Sequence, residues 1–403
     1  MIIELIVALI VGVLIGTFTG LTPGIHINLV AFFLLSLVTE GYFTGISPII
    51  LAVFIVALSI SHTFIDFIPS IFLGAPDEDS VLSVLPGHEM LSKGNGYEAI
   101  LLTLIGSIAG IFLILLFTPL FIFFLPKGYN SVTTIMPFIL IFASFFLFYF
   151  EKNNKIWAII IFLLAGFLGI ASMNLNLKEP LLPLLTGLFG ASSLITSMSK
   201  KQKLPKQNII KLKELRIKKK SLTKSIFASI IASPLCSFLP GLGSGQAAVI
   251  GSEVIGDLDR KEFLILLGSI NTIVMGLSFV TLYTIQKSRT GSAVAISKLL
   301  ETFSSNNLYI LLLTILISGI FAFFLTIFLA KIFSRIISKI NYSKLSFIIL
   351  MFLSLMISIC SGFLGFLVFI VSASLGLFCI FLGIRRTHLM GCLLLPTIFY
   401  YLL

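Results

Sequence analysis

Long apolar runs follow one another along almost the whole chain and are separated by short polar or charged stretches. A helix crosses the hydrocarbon core of a bilayer, about 30 Å thick, with roughly 20 apolar residues. A transmembrane barrel would instead show alternating segments of about ten residues. The pattern predicts an all-α, polytopic integral membrane protein with about 10–12 membrane segments. The apolar runs lie at 2–38, 48–73, 99–126, 132–150, 155–173, 181–198, 225–255, 262–285, 306–331, 344–383 and 387–403.

Two of these runs contain a break of the same kind. Pro23-Gly24 interrupts the first run, and Pro240-Gly241 interrupts the run at 225–255. Proline lacks a backbone donor and glycine adopts conformations closed to other residues, so each helix is expected to stop and restart there.

The two breaks are related by a fixed offset, which indicates an internal repeat. The offset is 217 residues (240 − 23), and it also relates Gly74 to Gly291 (291 − 74). The sequence therefore predicts an N-terminal membrane half at 1–198, a linking loop at 199–224 and a C-terminal membrane half at 225–403.

Charge is concentrated between the two predicted halves. The chain is 58% hydrophobic and 11% charged, with a formal net charge of +11. The linking loop carries eleven Lys and Arg residues, opposed only by Glu214. Short basic loops stay in the cytoplasm, so this loop predicts a multi-pass cell-membrane protein with 199–224 on the cytoplasmic side. Its expected partner is the lipid bilayer, and no nucleic-acid partner is expected.

A second basic loop, around Lys331 and Lys344, is expected on the same side for the same reason. Three apolar runs separate the two loops, and an odd number of crossings cannot return the chain to one side. The broken run at 225–255 is therefore predicted to enter and leave by the same face.

Paired broken helices in corresponding positions indicate a transporter's binding site, because unwound backbone is stable in a membrane only where it lines a cavity. Glycines and a restarting helix can turn backbone N–H groups toward an anion. The alternative is that these glycines and prolines only allow helices to cross closely. The candidate substrate-binding residues are Pro23, Gly24, His26, Asn28, Gly74, Pro240, Gly241, Gly243, Ser244, Gly245, Gln246, Asn271 and Gly291.

Three ionisable residues in apolar runs are candidates for ion coupling. His62 and Asp66 are four residues apart and hence on one helix face, and Glu253 follows the second break. Ionisable groups inside a membrane segment are costly and typically serve proton or ion movement. The alternative for the first pair is that it marks the end of a span, since Pro69 follows.

Motifs for other chemistry are missing from the sequence. The four cysteines form no CxxC pair, and no Walker A, G-x-S-x-G or HExxH motif occurs. We therefore expect no catalytic residues, no metal site and no cofactor beyond a coupling sodium ion or proton.

Several segments resemble the large permease subunit of the tripartite tricarboxylate transporters, the TctA family. They are Gly16–Gly24, Phe67–Pro76, Leu85–Leu91, Gly94–Ala99 and Leu239–Gly245. The resemblance implies a secondary transporter permease for a small organic anion of the di- or tricarboxylate type, coupled to a proton or sodium gradient. It also implies two partners: a small membrane subunit and an extracytoplasmic solute-binding protein.

The chain departs from the family pattern in its second half. Only Asn271 remains of a Pro-Glu-Ala-Ala-Asn-Asn-like element, and Arg289–Ser292 replaces a Gly-Ile-Pro-Gly element. The Pro-Gly segments also resemble, over a shorter span, polyprenyl-phosphate translocases. A lipid-linked phosphate translocase is therefore the alternative function, and a membrane enzyme or scaffold acting on lipids is a third.

Overall fold

A computed structural model gives the architecture of the chain. The part that it describes contains helices and no strands, and eight helical stretches are long and apolar enough to cross a membrane. The predicted all-α, polytopic fold is confirmed. The described residues are 1–22, 27, 30, 31, 34, 38, 43, 45–75, 80–149, 151, 154–199, 204–215, 217–238, 243–256, 258–287, 290–300 and 302–402.

Thirteen helices are numbered here in chain order. They are α1 (Ile2–Leu21), α2 (Pro48–Ile65), α3 (Val84–Ser92), α4 (Gly96–Tyr149), α5 (Lys155–Asn174), α6 (Leu181–Ser199), α7 (Lys219–Phe238), α8 (Ser244–Ile255), α9 (Arg260–Ile285), α10 (Gly291–Leu299), α11 (Ser305–Ile337), α12 (Tyr342–Phe381) and α13 (Gly391–Leu402).

The predicted offset recurs in the helix bounds. α7 begins and ends 217 residues after α1 (219 − 2 and 238 − 21). Ile27 and Val38 are helical and correspond at this offset to Ser244 and Ile255, the two ends of α8. These coincidences support the internal repeat, while the division of the chain at 199–224 stays a prediction.

Helices α1 and α2 run parallel to each other in close contact. A β-carbon on Gly16 would lie 2.4 Å from the carbonyl oxygen of Leu58, and one on Gly20 would lie 3.2 Å from that of His62. Four residues along α1 thus match four residues along α2. Small residues at such a crossing let two helix backbones approach.

The corresponding helices of the second half, α7 and α9, are parallel in the same way. Ser225 Oγ donates to the carbonyl of Glu262 (2.9 Å), and Thr281 Oγ1 donates to the carbonyl of Ser237 (3.4 Å). Both helices therefore begin at one face of the protein and run toward the other.

Helix α8 returns the chain to the face where α7 begins. A β-carbon on Gly251 would lie 3.0 Å from the carbonyl oxygen of Ala228, so α8 runs back beside α7. Lys224 near the start of α7 and Glu262 in the first turn of α9 form an ion pair of 3.6 Å. The prediction that 225–255 enters and leaves by the same face is confirmed.

The two halves are inverted relative to each other. Asn271 of α9 contacts Asp66 at the end of α2. Ser59, about two helical turns earlier in α2, contacts Ser292, which follows the end of α9 at Ile285. Because advancing along α2 means going back along α9, these repeat-related helices are antiparallel.

Two long helical stretches, α4 and α12, reverse direction. Straight, α4 with its 54 residues would extend about 80 Å. Yet Tyr129 contacts Lys287 beyond the end of α9, whereas Glu151, just after α4, contacts Arg385, which shares a cavity with Arg260 at the start of α9. The chain therefore crosses the membrane twice within α4, which contains three prolines.

In α12 the reversal occurs at Gly362, where φ is +67° and ψ is −166°. Leu353 before this glycine clusters with Leu194 of α6, and Gly376 after it lies against Ser192 of the same helix. Both arms thus pack beside one end of α6. Glycine is required at the turn because other residues rarely adopt this positive φ.

Candidate functional site

A buried carboxylate and a buried amide meet between α2 and α9. Asn271 Nδ2 donates to Asp66 Oδ2 (3.1 Å) and lies 3.4 Å from the carbonyl oxygen of Thr63. Asp66 is 2% exposed and Asn271 is 1% exposed. Asn271 lies 11 residues after Arg260 (271 − 260), about 16 Å along α9. The pair is therefore near the middle of α9, a helix that is long and apolar enough to cross a membrane.

Local sequence places Asp66 at an irregularity of the helix. Asp66 ends α2, and its carbonyl accepts hydrogen bonds from both the backbone N–H and the hydroxyl of Ser70. Pro69 cannot donate to a regular helix, and a π-helical turn follows at Pro69–Leu73. Irregular turns of this kind occur frequently at functional sites.

Gly74 ends that turn and lies against a histidine. Its φ of +66° is left-handed, and a β-carbon there would lie 2.6 Å from His88 Nε2. Glycine is needed at this position both for backbone conformation and for the close approach of the imidazole. These two structural roles account for Gly74 without a ligand.

His62 joins α2 to α1. Its Nδ1 lies 3.0 Å from Thr19 Oγ1, and both side chains are buried. The Thr19 hydroxyl donates its single proton to the carbonyl of Gly16 (3.1 Å). Thr19 therefore links His62 of α2 to the backbone of α1.

Gly291 lies at the start of α10, next to a polar contact between the two halves. The hydroxyl oxygens of Ser59 and Ser292 are 2.9 Å apart and buried. Thr290 caps this helix by accepting from the backbone N–H of Ala293 (3.2 Å). Ser59 and Ser292 are 233 residues apart in the chain, so their contact was not evident from the sequence.

The Ser59–Ser292 contact can be tested by cross-linking. We expect Ser59→Cys combined with Ser292→Cys to form a disulfide under mild oxidation, because the paired side-chain atoms are already in contact. The readout is altered mobility of a protease-nicked chain that remains joined until reduction. Each single variant is the control, and failure of the double variant to cross-link would contradict this packing.

At the second break, Gly243 precedes α8 with φ −96° and ψ 178°. This is extended backbone that any residue adopts, so conformation does not require glycine there, contrary to the role expected of the break glycines. The N–H of Gly243 donates to Gln246 Oε1 (2.8 Å), so this donor is already used within the chain. A β-carbon on Gly245 would lie 2.7 Å from Met390 Cε, which indicates helix packing. Ser244, like Gln246, is buried.

Six predicted site residues lie outside the described part of the chain, and their roles stay predictions. The distance between the two Pro-Gly breaks is therefore also untested. The six residues are Pro23, Gly24, His26, Asn28, Pro240 and Gly241.

Glu253 lies at another place, in a charged cavity of about 300 Å³ beside the start of α9. We name this the Arg386 cavity. Its charged lining residues are Glu89, Glu253, Asp259, Arg260, Arg385 and Arg386. Because Lys224 and Glu262 join the starts of α7 and α9, the cavity is on the side of the basic linking loop.

Behind this cavity is a buried ionic group that sequence reasoning missed. Glu151 is 3% exposed and contacts both His388 Nε2 (2.8 Å) and Arg385 Nε (3.3 Å). Arg385 also reaches Glu253 (3.8 Å). Burial lowers the pKa of His388, although the hydrogen bond and charge of Glu151 act in the opposite direction. The sequence signal for this group was Glu151, an acidic residue between the apolar runs at 132–150 and 155–173.

Comparison with known proteins agrees with this architecture. The model of the tripartite tricarboxylate transporter TctA family matches residues 6–391. An uncharacterized protein of Methanocaldococcus jannaschii is 33% identical over 393 residues, which cover 95% of each chain. No solved structure matches significantly. The chain belongs to the tripartite tricarboxylate transporter TctA family.

Proposed function

We propose that this chain is a permease that moves a small organic anion of the di- or tricarboxylate type and is driven by a proton or sodium gradient. The observation that carries the proposal is the contact between Asp66 and Asn271. It joins two antiparallel, repeat-related helices near the middle of α9, and inverted-repeat transporters bind substrate and coupling ion near the middle of the membrane.

Asp66 is the proposed coupling group. An ionised carboxylate repels an anionic substrate by about 4 kcal/mol for unit charges roughly 4 Å apart at an effective dielectric constant near 20. A proton or sodium ion on Asp66 removes this repulsion. Substrate and coupling ion are then bound together, and neither crosses alone.

Asn271 is the proposed link between ion and substrate. Its Nδ2 is directed to Asp66, and its Oδ1 has no hydrogen-bond partner among the described residues. Amide oxygens accept from hydroxyl groups and also coordinate sodium. Neutralising Asp66 would change the hydrogen bond that holds Asn271, so one residue can respond to both ligands.

The family suggests two partners for this permease, a small membrane subunit and an extracytoplasmic solute-binding protein. We propose that the solute-binding protein docks on the face opposite to the basic linking loop. On that face the chain enters α2 near Ser47.

Exchange across proteoliposomes tests the proposed transport directly. Vesicles containing the purified chain, loaded with unlabelled citrate or succinate, are expected to take up the labelled acid, whereas empty vesicles do not. A lipid-linked phosphate that exchanged in place of these acids would contradict the proposal. So would the absence of exchange when both partner proteins are supplied.

The proposed orientation predicts which cysteine variants react from outside the cell. Lys213→Cys, exposed in the basic linking loop, is expected to react with an impermeant maleimide only after lysis. Ser47→Cys, exposed before α2, is expected to react in intact cells. Both variants are made in a Cys360→Ala background, since Cys360 is only partly buried. The reverse labelling pattern would overturn the orientation.

A further inference from the structure

Arg386 is a buried cation with no acidic partner among the described residues. It is 5% exposed and lines the Arg386 cavity. The other two cavity arginines are paired, Arg260 with Glu89 and Arg385 with both Glu151 and Glu253. Within the described part of the chain, Arg386 forms no ion pair.

The contacts of Arg386 are all with neutral groups. Its Nη2 donates to the carbonyls of Leu188 (2.8 Å) and Phe189 (2.7 Å) and to Ser192 Oγ (2.7 Å), and its Nη1 donates to Ser193 Oγ. The guanidinium carbon lies 5.3 Å from the ring of Phe189. These carbonyls belong to the π-helical turn Thr186–Ala191, so Arg386 also holds that turn.

Two donors at the cavity wall remain unused by the described residues. They are the Nε–H of Arg386 and the hydroxyl of Thr387. Both residues line the cavity, so one charged and one neutral donor lie beside it. A role limited to clamping the π-helical turn would explain the Nη contacts but not these two donors.

The charge of Arg386 needs an anion. Burial lowers the pKa of Arg386 to about 10, so the guanidinium is still charged at neutral pH. An ionised group held in a weakly polar environment is destabilising unless an opposite charge accompanies it. The cavity of about 300 Å³ gives such an anion room beside the guanidinium.

We propose that the Arg386 cavity is a second anion site, which binds a carboxylate of a small organic acid through Arg386 and Thr387. A singly charged carboxylate fits this lining better than a dianionic phosphate, because the acids Glu89, Glu253 and Asp259 line the cavity beside its three arginines. The identity of the ligand rests on the proposed transport function. The cavity begins about 16 Å along α9 from Asn271, so the site is separate from the pair of Asp66 and Asn271.

Protection of a cysteine in the cavity wall tests this site. Ser252 lines the cavity and is partly buried, and Ser252→Cys is made in a Cys360→Ala background. In the purified full chain, saturating citrate is expected to slow alkylation of this cysteine about tenfold or more, as full occupancy of a shared cavity requires. Inorganic phosphate and chloride at equal ionic strength are expected to protect less.

Variants of the two donors decide whether they bind the acid. Arg386→Gln is expected to raise the citrate concentration needed for protection about 10- to 100-fold, since a charge-assisted contact is lost. Thr387→Val keeps the shape of the side chain and should raise the citrate concentration needed for protection about 2- to 10-fold. Arg335→Gln, exposed at the end of α11, is the matched control and should leave it unchanged.

Several results would overturn the second site. If both donor variants are protected at the same citrate concentration as the parent, Arg386 and Thr387 do not bind the acid. If Arg386→Gln does not fold, unchanged protection in Thr387→Val alone overturns the proposed site. Protection by short-chain phosphatidylglycerol but not by citrate would show a lipid headgroup site instead. The assay needs no gradient, so citrate protection without exchange would contradict the transport proposal and leave the second site intact.

Discussion

Asp66→Asn is expected to abolish gradient-driven accumulation of the organic anion while leaving exchange across the membrane largely intact. The amide has nearly the same shape as the carboxylate but cannot take a proton or provide a charged ligand to sodium. It resembles the neutralised state, so the anion still binds and crosses. The measurement compares accumulation under an imposed gradient with exchange at equilibrium in the same vesicles.

Glu4→Gln is the matched control, because this carboxylate is in the same half but 61% of its side chain is exposed. It should leave both activities unchanged. If Asp66→Asn retained accumulation with normal dependence on pH and sodium, Asp66 would not be the coupling group.

Substitutions at the crossing of α4 and α9 are expected to destabilise the protein strongly. A β-carbon on Gly106 would lie 2.0 Å from the carbonyl oxygen of Ile265, and one on Gly268 would lie 2.0 Å from that of Thr103. Backbone atoms cannot move aside without separating the helices. Gly106→Ala and Gly268→Ala are therefore each expected to lower the free energy of unfolding by roughly 1–3 kcal/mol, or more.

Unfolding of the purified variants in mixed micelles measures this effect. Gly128→Ala in the same helix is the matched control, because nothing lies within 4 Å of the added β-carbon. Its free energy of unfolding should change by less than about 0.5 kcal/mol. If all three variants had the same stability, the close crossing of α4 and α9 would be wrong.

Much of the fold was predictable because the bilayer imposes strict lengths on apolar segments. The basic loops and the Pro-Gly break together predicted that 225–255 returns to its starting face, and the ion pair of Lys224 with Glu262 confirms it. The offset of 217 residues also recurs in the bounds of α1 and α7. The two crossings within α4 were predictable from the separate apolar runs at 99–126 and 132–150. The structure nevertheless shows a single helical stretch there.

The site was only partly predictable. Asp66 and Asn271 were each recognisable as polar residues in apolar segments, but their contact across 205 residues depends on tertiary packing. His62 was predicted to share the role of Asp66; it contacts Thr19 of α1, and its role stays a prediction. The sequence predicts a role for an ionisable group within a helix, but not which neighbour it meets.

Arg386 was not predictable as a buried cation. In the sequence it belongs to a basic pair after an apolar run and has the pattern of a cytoplasmic loop. Its burial depends on the π-helical turn at Thr186–Ala191, whose carbonyls it binds. No local pattern around residue 386 carries that information.

Accumulation in proteoliposomes shows directly whether this chain couples movement of an organic anion to an ion gradient. Purified chain, with its partner proteins where these are required, is reconstituted and given an inward proton or sodium gradient with labelled citrate outside. We expect the label to rise inside above its external concentration under one of the two gradients and to fall back when an ionophore dissipates that gradient. Equilibration without accumulation under either gradient, with active partner proteins present, would contradict this coupling.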